Sequence, residues 1–182
     1  ANGLAEVIKT AAIRSQTLFM FLENNLGKLK AREPSALEEV VSQSVAIKAE
    51  VVAKDERDLG LRHILNYGHT IGHAIETVSG FSIKHGQAVA IGMVTAAKIA
   101  HKKGMLSSGD VARLTDVIKR VGLPYVMPEL NVSALMEAMQ YDKKARNGAL
   151  QFVLLKSIGN AFVTDDVSLS MVEQVLAEHE KA

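Results

Sequence analysis

GLRHILNYGHTIGHAIETVSGFSIKHGQAVA, residues 60–90, is the stretch whose reading decides the fold. At about 100° per residue along an α-helix, Arg62, Asn66, His69 and His73 fall within roughly a 60° sector, so the spacing predicts one helix with a polar stripe. The opposite side, with Leu61, Ile64, Ile71, Ala74 and Ile75, is apolar and is expected to face a core. A solvated helix face ordinarily mixes Lys and Glu. This one offers a guanidinium, an amide and two imidazoles, so it borders either water or a site. Gly68 and Gly72 each cost about 1 kcal/mol relative to alanine inside a helix, and close approach of a second backbone is the reason the sequence offers. A turn at Gly80 lets a second helix begin near His85 and carry that imidazole back toward the first. Two readings of the histidines then stand side by side. Either they are core imidazoles satisfied by neighbouring carbonyls, or they belong to a metal site whose further ligand is a carboxylate, because the chain has no cysteine.

The composition narrows the class. With 182 residues and 48% hydrophobic content the chain can bury a core of its own, and residues 1–182 are expected to form a single domain. Lys and Arg number 21 against 20 Asp and Glu, which gives no electrostatic case for nucleic acid or a membrane surface as partner. The lack of cysteine excludes disulfides and thiolate metal sites and fits a reducing compartment. No apolar run reaches the roughly 18 residues of a membrane span, and ANGLAEVIKT lacks a signal-peptide pattern, so a cytoplasmic location is expected. Few aromatics, no Trp and three prolines make a helical composition. The expected fold class is mainly α, a bundle-like helical domain with one small β-hairpin near the C-terminus. The first residue is Ala1, and the chain reads as a piece of something longer.

Residues 3–12 read as a helix that sets Leu4, Val7, Ile8 and Ala11 on one face and Glu6 and Lys9 on another, where a surface ion pair is the plain reading. Ser15 is placed to cap a second helix ending near Gly27. Ser35, with Glu38 three residues on, suggests a capping box opening a long helix whose apolar side is Val40, Val41, Val45, Ile47, Val51 and Val52. Lys48 lies among these, either snorkelling to solvent or holding an anion. Beyond His85 the Ala-, Gly- and Val-rich run to Gly104 predicts a helix buried on most sides. An amphipathic helix up to Gly122, a short helix at 132–139, a cationic turn YDKKARNG at 141–148, a hairpin turning at Ser157–Asn160 and a last helix from about Ser168 to Glu180 complete the chain. A glycine-rich phosphate loop after a strand is missing, so a dinucleotide-binding domain is not expected here. HTIGH also lacks the glutamate of the zinc-protease HExxH helix.

AEVIKTA at Ala5, ERDLGLRHILNYGHTIGHAIE at Glu56, KHGQAVAIGMV at Lys84 and YDKKARNG at Tyr141 together resemble the C-terminal domain of 3-dehydroquinate synthase, over nearly the whole chain. The resemblance implies that Glu6, His69 and His85 ligate Zn2+ (or Co2+). It further implies that His73, Lys9 and Asp58 are catalytic, and that Lys9, Lys48, Arg62, Asn66, His73, Lys143 and Lys144 bind substrate. The family usually has Glu where this chain has Asp58. Also implied are the conversion of 3-deoxy-D-arabino-heptulosonate 7-phosphate to 3-dehydroquinate with release of phosphate, in the shikimate pathway, and NAD held mainly by an N-terminal domain outside this chain. A homodimer is the family's usual state. Alternatives are another sugar-phosphate cyclase, whose substrate without a carboxylate would not need Arg62, a metal-dependent polyol dehydrogenase, or a noncatalytic zinc-binding helical module.

Overall fold

The computed structural model describes residues 2–57, 60–145 and 150–180. Its elements are α1 (Asn2–Arg14), α2 (Gln16–Lys30), α3 (Pro34–Lys54), a 3-10 helix (Leu61–Asn66), α4 (His69–Val78), α5 (His85–Lys102), α6 (Ser108–Arg120), α7 (Val132–Ala145), β1 (Phe152–Ser157), β2 (Asn160–Thr164) and α8 (Leu169–Glu180). The domain is mainly helical, and the hairpin lies where the sequence places it. β1 and β2 pair antiparallel, with Phe152 opposite Thr164 and Leu155 opposite Ala161.

Helix α5 is the axis. Its alanines, glycines and valines are buried from Ala88 through Ala97, and α1, α4, α6, α8 and β1 pack around it. Small side chains let several helices approach one helix closely, and that crowding sets the distances at its N-terminal end. Gly72 of α4 rides on the backbone of Val89, where an added Cβ would lie 3.2 Å from Val89 Cα. The close approach expected from Gly68 and Gly72 is therefore present, and Gly92 of α5 completes it, since a Cβ there would meet the Gly68 carbonyl oxygen.

One expected continuous helix is two. The 3-10 turn ends at Asn66, Tyr67 is extended, and Gly68 adopts φ 78° before α4 starts at His69. The break has a physical cause: the Tyr67 ring is fully buried, and its hydroxyl donates to the Met93 carbonyl on α5 at 2.9 Å. Burial also pushes the phenol's pKa far up. Arg62 and Asn66 thus do not share a helical face with His69 and His73, and Leu61, expected in the core, is exposed, while Ile64, Ile71, Ala74 and Ile75 are buried.

Other expectations divide in the same way. Ser15 caps α2 by accepting from the Leu18 amide at 3.1 Å, though the helix runs past Gly27 to Lys30. No capping box opens α3; Glu33 is its N-cap without a side-chain bond, and Pro34 takes the first turn, where its missing N–H costs nothing. Val40 and Val51 are buried, but Val41 and Val45 are 56% and 63% exposed, so the expected apolar side of α3 is only half used within the described residues. The cationic stretch at Tyr141 is not all turn: its backbone through Ala145 continues α7. Among the described residues no helix is long and apolar enough to cross a membrane.

Candidate metal centre

Three elements deliver the centre. Asn2 at the start of α1 packs against Gly86, where a Cβ would lie 2.7 Å from Asn2 Cα, so the first turns of α1 and α5 nearly touch. That approach brings Glu6 to His85. The α4–α5 contact brings His69 to the same place. The Glu6 Oε1 atom lies 4.0 Å from His69 Nε2 and 3.8 Å from His85 Nε2. Its other oxygen, Oε2, pairs with Lys9 Nζ at 2.7 Å, so the ion pair read from spacing exists and occupies one oxygen of the carboxylate. Burial pushes the Glu6 carboxyl up, but the Lys9 bond and charge, with smaller help from His69 and His85, outweigh it and hold Glu6 below its ordinary range.

Both imidazoles are held by their far nitrogen. His69 Nδ1 is 3.2 Å from the Tyr67 carbonyl oxygen. A carbonyl only accepts, so Nδ1 carries the proton and Nε2 keeps its lone pair toward Glu6. Burial and the Lys9 charge push the His69 imidazole down to about 4, against the Tyr67 bond and Glu6, which raise it. At neutral pH His69 is in the uncharged form a metal needs. His85 Nδ1 is 3.1 Å from Glu76 Oε1, and its Nε2 likewise faces Glu6. The His69 ring centroid is 5.3 Å from that of His73 and 5.2 Å from that of His85.

The donor set fits a divalent cation. One atom each from Glu6, His69 and His85 lies within 4.8 Å of the others, and two neutral imidazoles with one carboxylate are a set that leaves coordination positions open on zinc. Glu6 Oε1 is a buried oxygen with no hydrogen-bond partner among the described residues, an arrangement that costs free energy unless a cation or water meets it. His73, Glu76 and His85 also come within ligand distance of one another, but there Glu76 and His85 are already engaged with each other.

The remaining expected residues are spread more widely. Lys9 is buried beside the centre, and His73 is exposed at its rim. Arg62 and Asn66 lie on the 3-10 helix, which packs against α1 and α3. The Arg62 amide donates to Asp55 Oδ2 at 2.9 Å, which fixes the start of that turn. Lys48 is exposed on α3, and no hydrogen bond or ion pair among the described residues ties it to the centre. Asp58 and the side chains of Lys143 and Lys144 lie outside the described residues. Glu76 is a further group at the site that the sequence signals only by spacing, one turn beyond His73 on the histidine face of α4.

The architecture is shared with solved cyclases. 2-epi-5-epi-valiolone synthase from Streptomyces hygroscopicus subsp. jinggangensis 5008, solved with NAD+ and Zn2+ bound, matches 99% of this chain with 51% of its own, at 27% identity and a TM-score of 0.89. A 2-deoxy-scyllo-inosose synthase complexed with carbaglucose-6-phosphate, NAD+ and Co2+ matches 98% of this chain with 52% of its own, at 26% identity and a TM-score of 0.84. The fold of this chain is thus the one these two cyclases use over about half of their length. Residues 3–145 match the model of the 3-dehydroquinate synthase C-terminal family, and the chain belongs to that family. The 3-dehydroquinate synthase of Dehalococcoides mccartyi strain CBDB1 is 44% identical over 178 residues, 98% of this chain and 50% of that protein. The chain spans about half the length of the curated relatives it matches.

Proposed function

We propose that the chain is the metal- and substrate-binding half of a 3-dehydroquinate synthase, converting 3-deoxy-D-arabino-heptulosonate 7-phosphate to 3-dehydroquinate with release of phosphate, with NAD held by a second domain. The observation that carries this reading is the convergence of Glu6 Oε1 with the Nε2 atoms of His69 and His85 in a chain of this family. Glu6, His69 and His85 would hold the metal. A divalent cation bound there supplies Lewis acidity to a substrate hydroxyl or carbonyl oxygen.

The chain's own groups account for the rest. Lys9 ties down one Glu6 oxygen at 2.7 Å and so aims the other at the imidazoles. Its ammonium adds fixed positive charge beside a substrate that is anionic at both ends. The exposure of His73 at the rim, one turn from His69, supports a role for it in passing a proton between substrate and water. Arg62 matches the substrate carboxylate with two parallel hydrogen bonds, and the Asn66 amide donates to a substrate oxygen. NAD held by the second domain would supply reversible hydride transfer at a ring hydroxyl, which would acidify the neighbouring C–H so that phosphate could leave by elimination, with ring opening and an internal aldol closure completing the product and no net change in NAD.

The likeness to the two cyclases favours a second reading, in which the substrate is a sugar phosphate without a carboxylate. The higher identity to 3-dehydroquinate synthases and the presence of Arg62 speak for the first. Combining the chain with the NAD-binding half of a relative, with NAD and zinc, and measuring phosphate release from each substrate class decides between them. Turnover on the heptulosonate is expected. Turnover on the carboxylate-free sugar phosphate alone would overturn the proposal.

A further inference from the structure

Within the metal centre just described, on which this inference rests, we propose that Glu76 is a positioning residue for His85. It accepts the Nδ1 proton and thereby keeps the Nε2 lone pair aimed at the place where Glu6 and His69 converge.

His85 needs such a device more than His69 does. It is the first residue of α5, its side chain is 47% exposed, and it follows the α4–α5 turn, so packing alone does not fix its ring. His69 is 14% exposed and is held by a backbone carbonyl. The counterpart of that carbonyl at His85 is the Glu76 carboxylate, 3.1 Å from Nδ1. Glu76 is itself well placed to be rigid, with a side chain only 14% exposed on the last turns of α4. Its main-chain carbonyl accepts from the Phe81 amide at 2.8 Å and from Ser79 Oγ at 3.1 Å. These bonds fold the turn at Gly80 back on α4, so one residue both shapes the connection that delivers His85 and orients its ring.

The consequence is chemical. A neutral imidazole can carry its proton on either nitrogen, and only the Nδ1–H form leaves Nε2 free to bind a cation. A carboxylate accepting from a ligand histidine fixes that form and makes the free nitrogen more basic, and losing such a partner typically weakens metal binding by about 10–100-fold. Because His73, Glu76 and His85 also lie within ligand distance of one another, the competing view is that Glu76 itself ligates the cation. Glutamine separates the two: its amide oxygen still accepts from Nδ1–H, but it is a poor metal ligand.

The test uses the 182-residue chain as wild type, Glu76→Ala, Glu76→Gln and Glu6→Gln, with circular dichroism confirming the fold of each. Two readouts are taken at pH 7.5: the tautomer of His85 in the metal-free protein by long-range 1H–15N correlation, and zinc affinity by competition with a chelator. The expected results are an Nδ1–H tautomer for His85 in wild type and Glu76→Gln, and its loss in Glu76→Ala. Zinc affinity should fall by about 10–100-fold in Glu76→Ala, remain near wild type in Glu76→Gln, and fall further in Glu6→Gln. An unchanged tautomer and affinity in Glu76→Ala would overturn the inference while leaving the metal centre standing. So would a Glu76→Gln variant that loses zinc as completely as Glu6→Gln, which would make Glu76 a ligand. Wild-type chain that binds no zinc would overturn the metal centre and the inference together.

Discussion

Replacing Gly92 with alanine is expected to dislodge the metal ligands from a position that touches none of them. The new Cβ would lie 2.1 Å from the Gly68 carbonyl oxygen and 3.0 Å from the Gly72 nitrogen. An ordinary carbon–oxygen contact is about 3.3 Å, so the start of α4 must retreat by about 1 Å. The Gly68 oxygen cannot swing aside cheaply, because it accepts the Gly72 amide at 2.9 Å and so closes the first turn of α4. Alanine gains about 1 kcal/mol of helix propensity. Against this stand about 1–3 kcal/mol of overpacking and about 1 kcal/mol for a weakened hydrogen bond. The net loss is about 2 kcal/mol, a fall in Tm of roughly 4–8 °C for a chain of this size. Metal–ligand distances tolerate only about 0.2 Å, and His69 adjoins Gly68, so zinc affinity should drop at least tenfold. Thermal unfolding and chelator competition read both effects. Gly27→Ala is the control: Gly27 lies in α2 with nothing within 4 Å of an added Cβ, and that variant should be stabilised by up to about 1 kcal/mol with zinc binding unchanged. If Gly92→Ala matched the control in both measurements, the close-packed α4–α5 contact would not be what sets the ligand spacing.

Three further outcomes follow from the same geometry. In metal-free chain, His69 is held at about 4 against an ordinary 6.5, so the unfolded state takes up its proton first as the pH falls. Stability should therefore be full above about pH 6.5 and decline toward pH 4 by at most about 3 kcal/mol, with the depressed Glu6 carboxyl adding to the loss at the acid end. Urea midpoints that do not move over that interval would contradict the burial argument. Arg62→Ala should leave zinc affinity unchanged and lower kcat/KM for the carboxylate substrate by about 10–100-fold in the reconstituted enzyme, since charged hydrogen bonds contribute about 1.5–3 kcal/mol; equal loss on a carboxylate-free substrate would assign Arg62 another role. Gly86→Ala should push Asn2 and α1 away from α5, weakening zinc binding through Glu6, whereas unchanged affinity would show that α1 reaches the centre by another route.

Much of the fold was legible because local chemistry dictates it. The Ser15 cap, the small-residue composition of α5 and the hairpin around Gly159 are all read from neighbours in sequence. The glycines at 68 and 72 announced a close backbone, and one is there. What periodicity could not reveal is the break at Tyr67. A regular 3.6-residue pattern continues straight through it, and only the burial of that ring against α5 and the left-handed Gly68 interrupt the helix. Likewise Val41 and Val45 fit an apolar stripe, yet within the described residues no element covers them. The centre itself divides in the same manner. Spacing pairs Glu6 with Lys9 correctly, but the second carboxylate oxygen meets imidazoles from α4 and α5, a convergence no local pattern encodes. The resemblance supplies that link; the Tyr67 carbonyl that orients His69 is visible only in three dimensions, while Glu76, which orients His85, is offered by its spacing from His73 but its partner is not.

Crystals of the chain soaked in zinc, with anomalous diffraction recorded on both sides of the zinc absorption edge, put the central claim to its most direct trial. A single strong peak is expected about 2.0–2.2 Å from Glu6 Oε1, His69 Nε2 and His85 Nε2. A peak held instead by His73 and Glu76, or no ordered zinc at Glu6, would contradict the account.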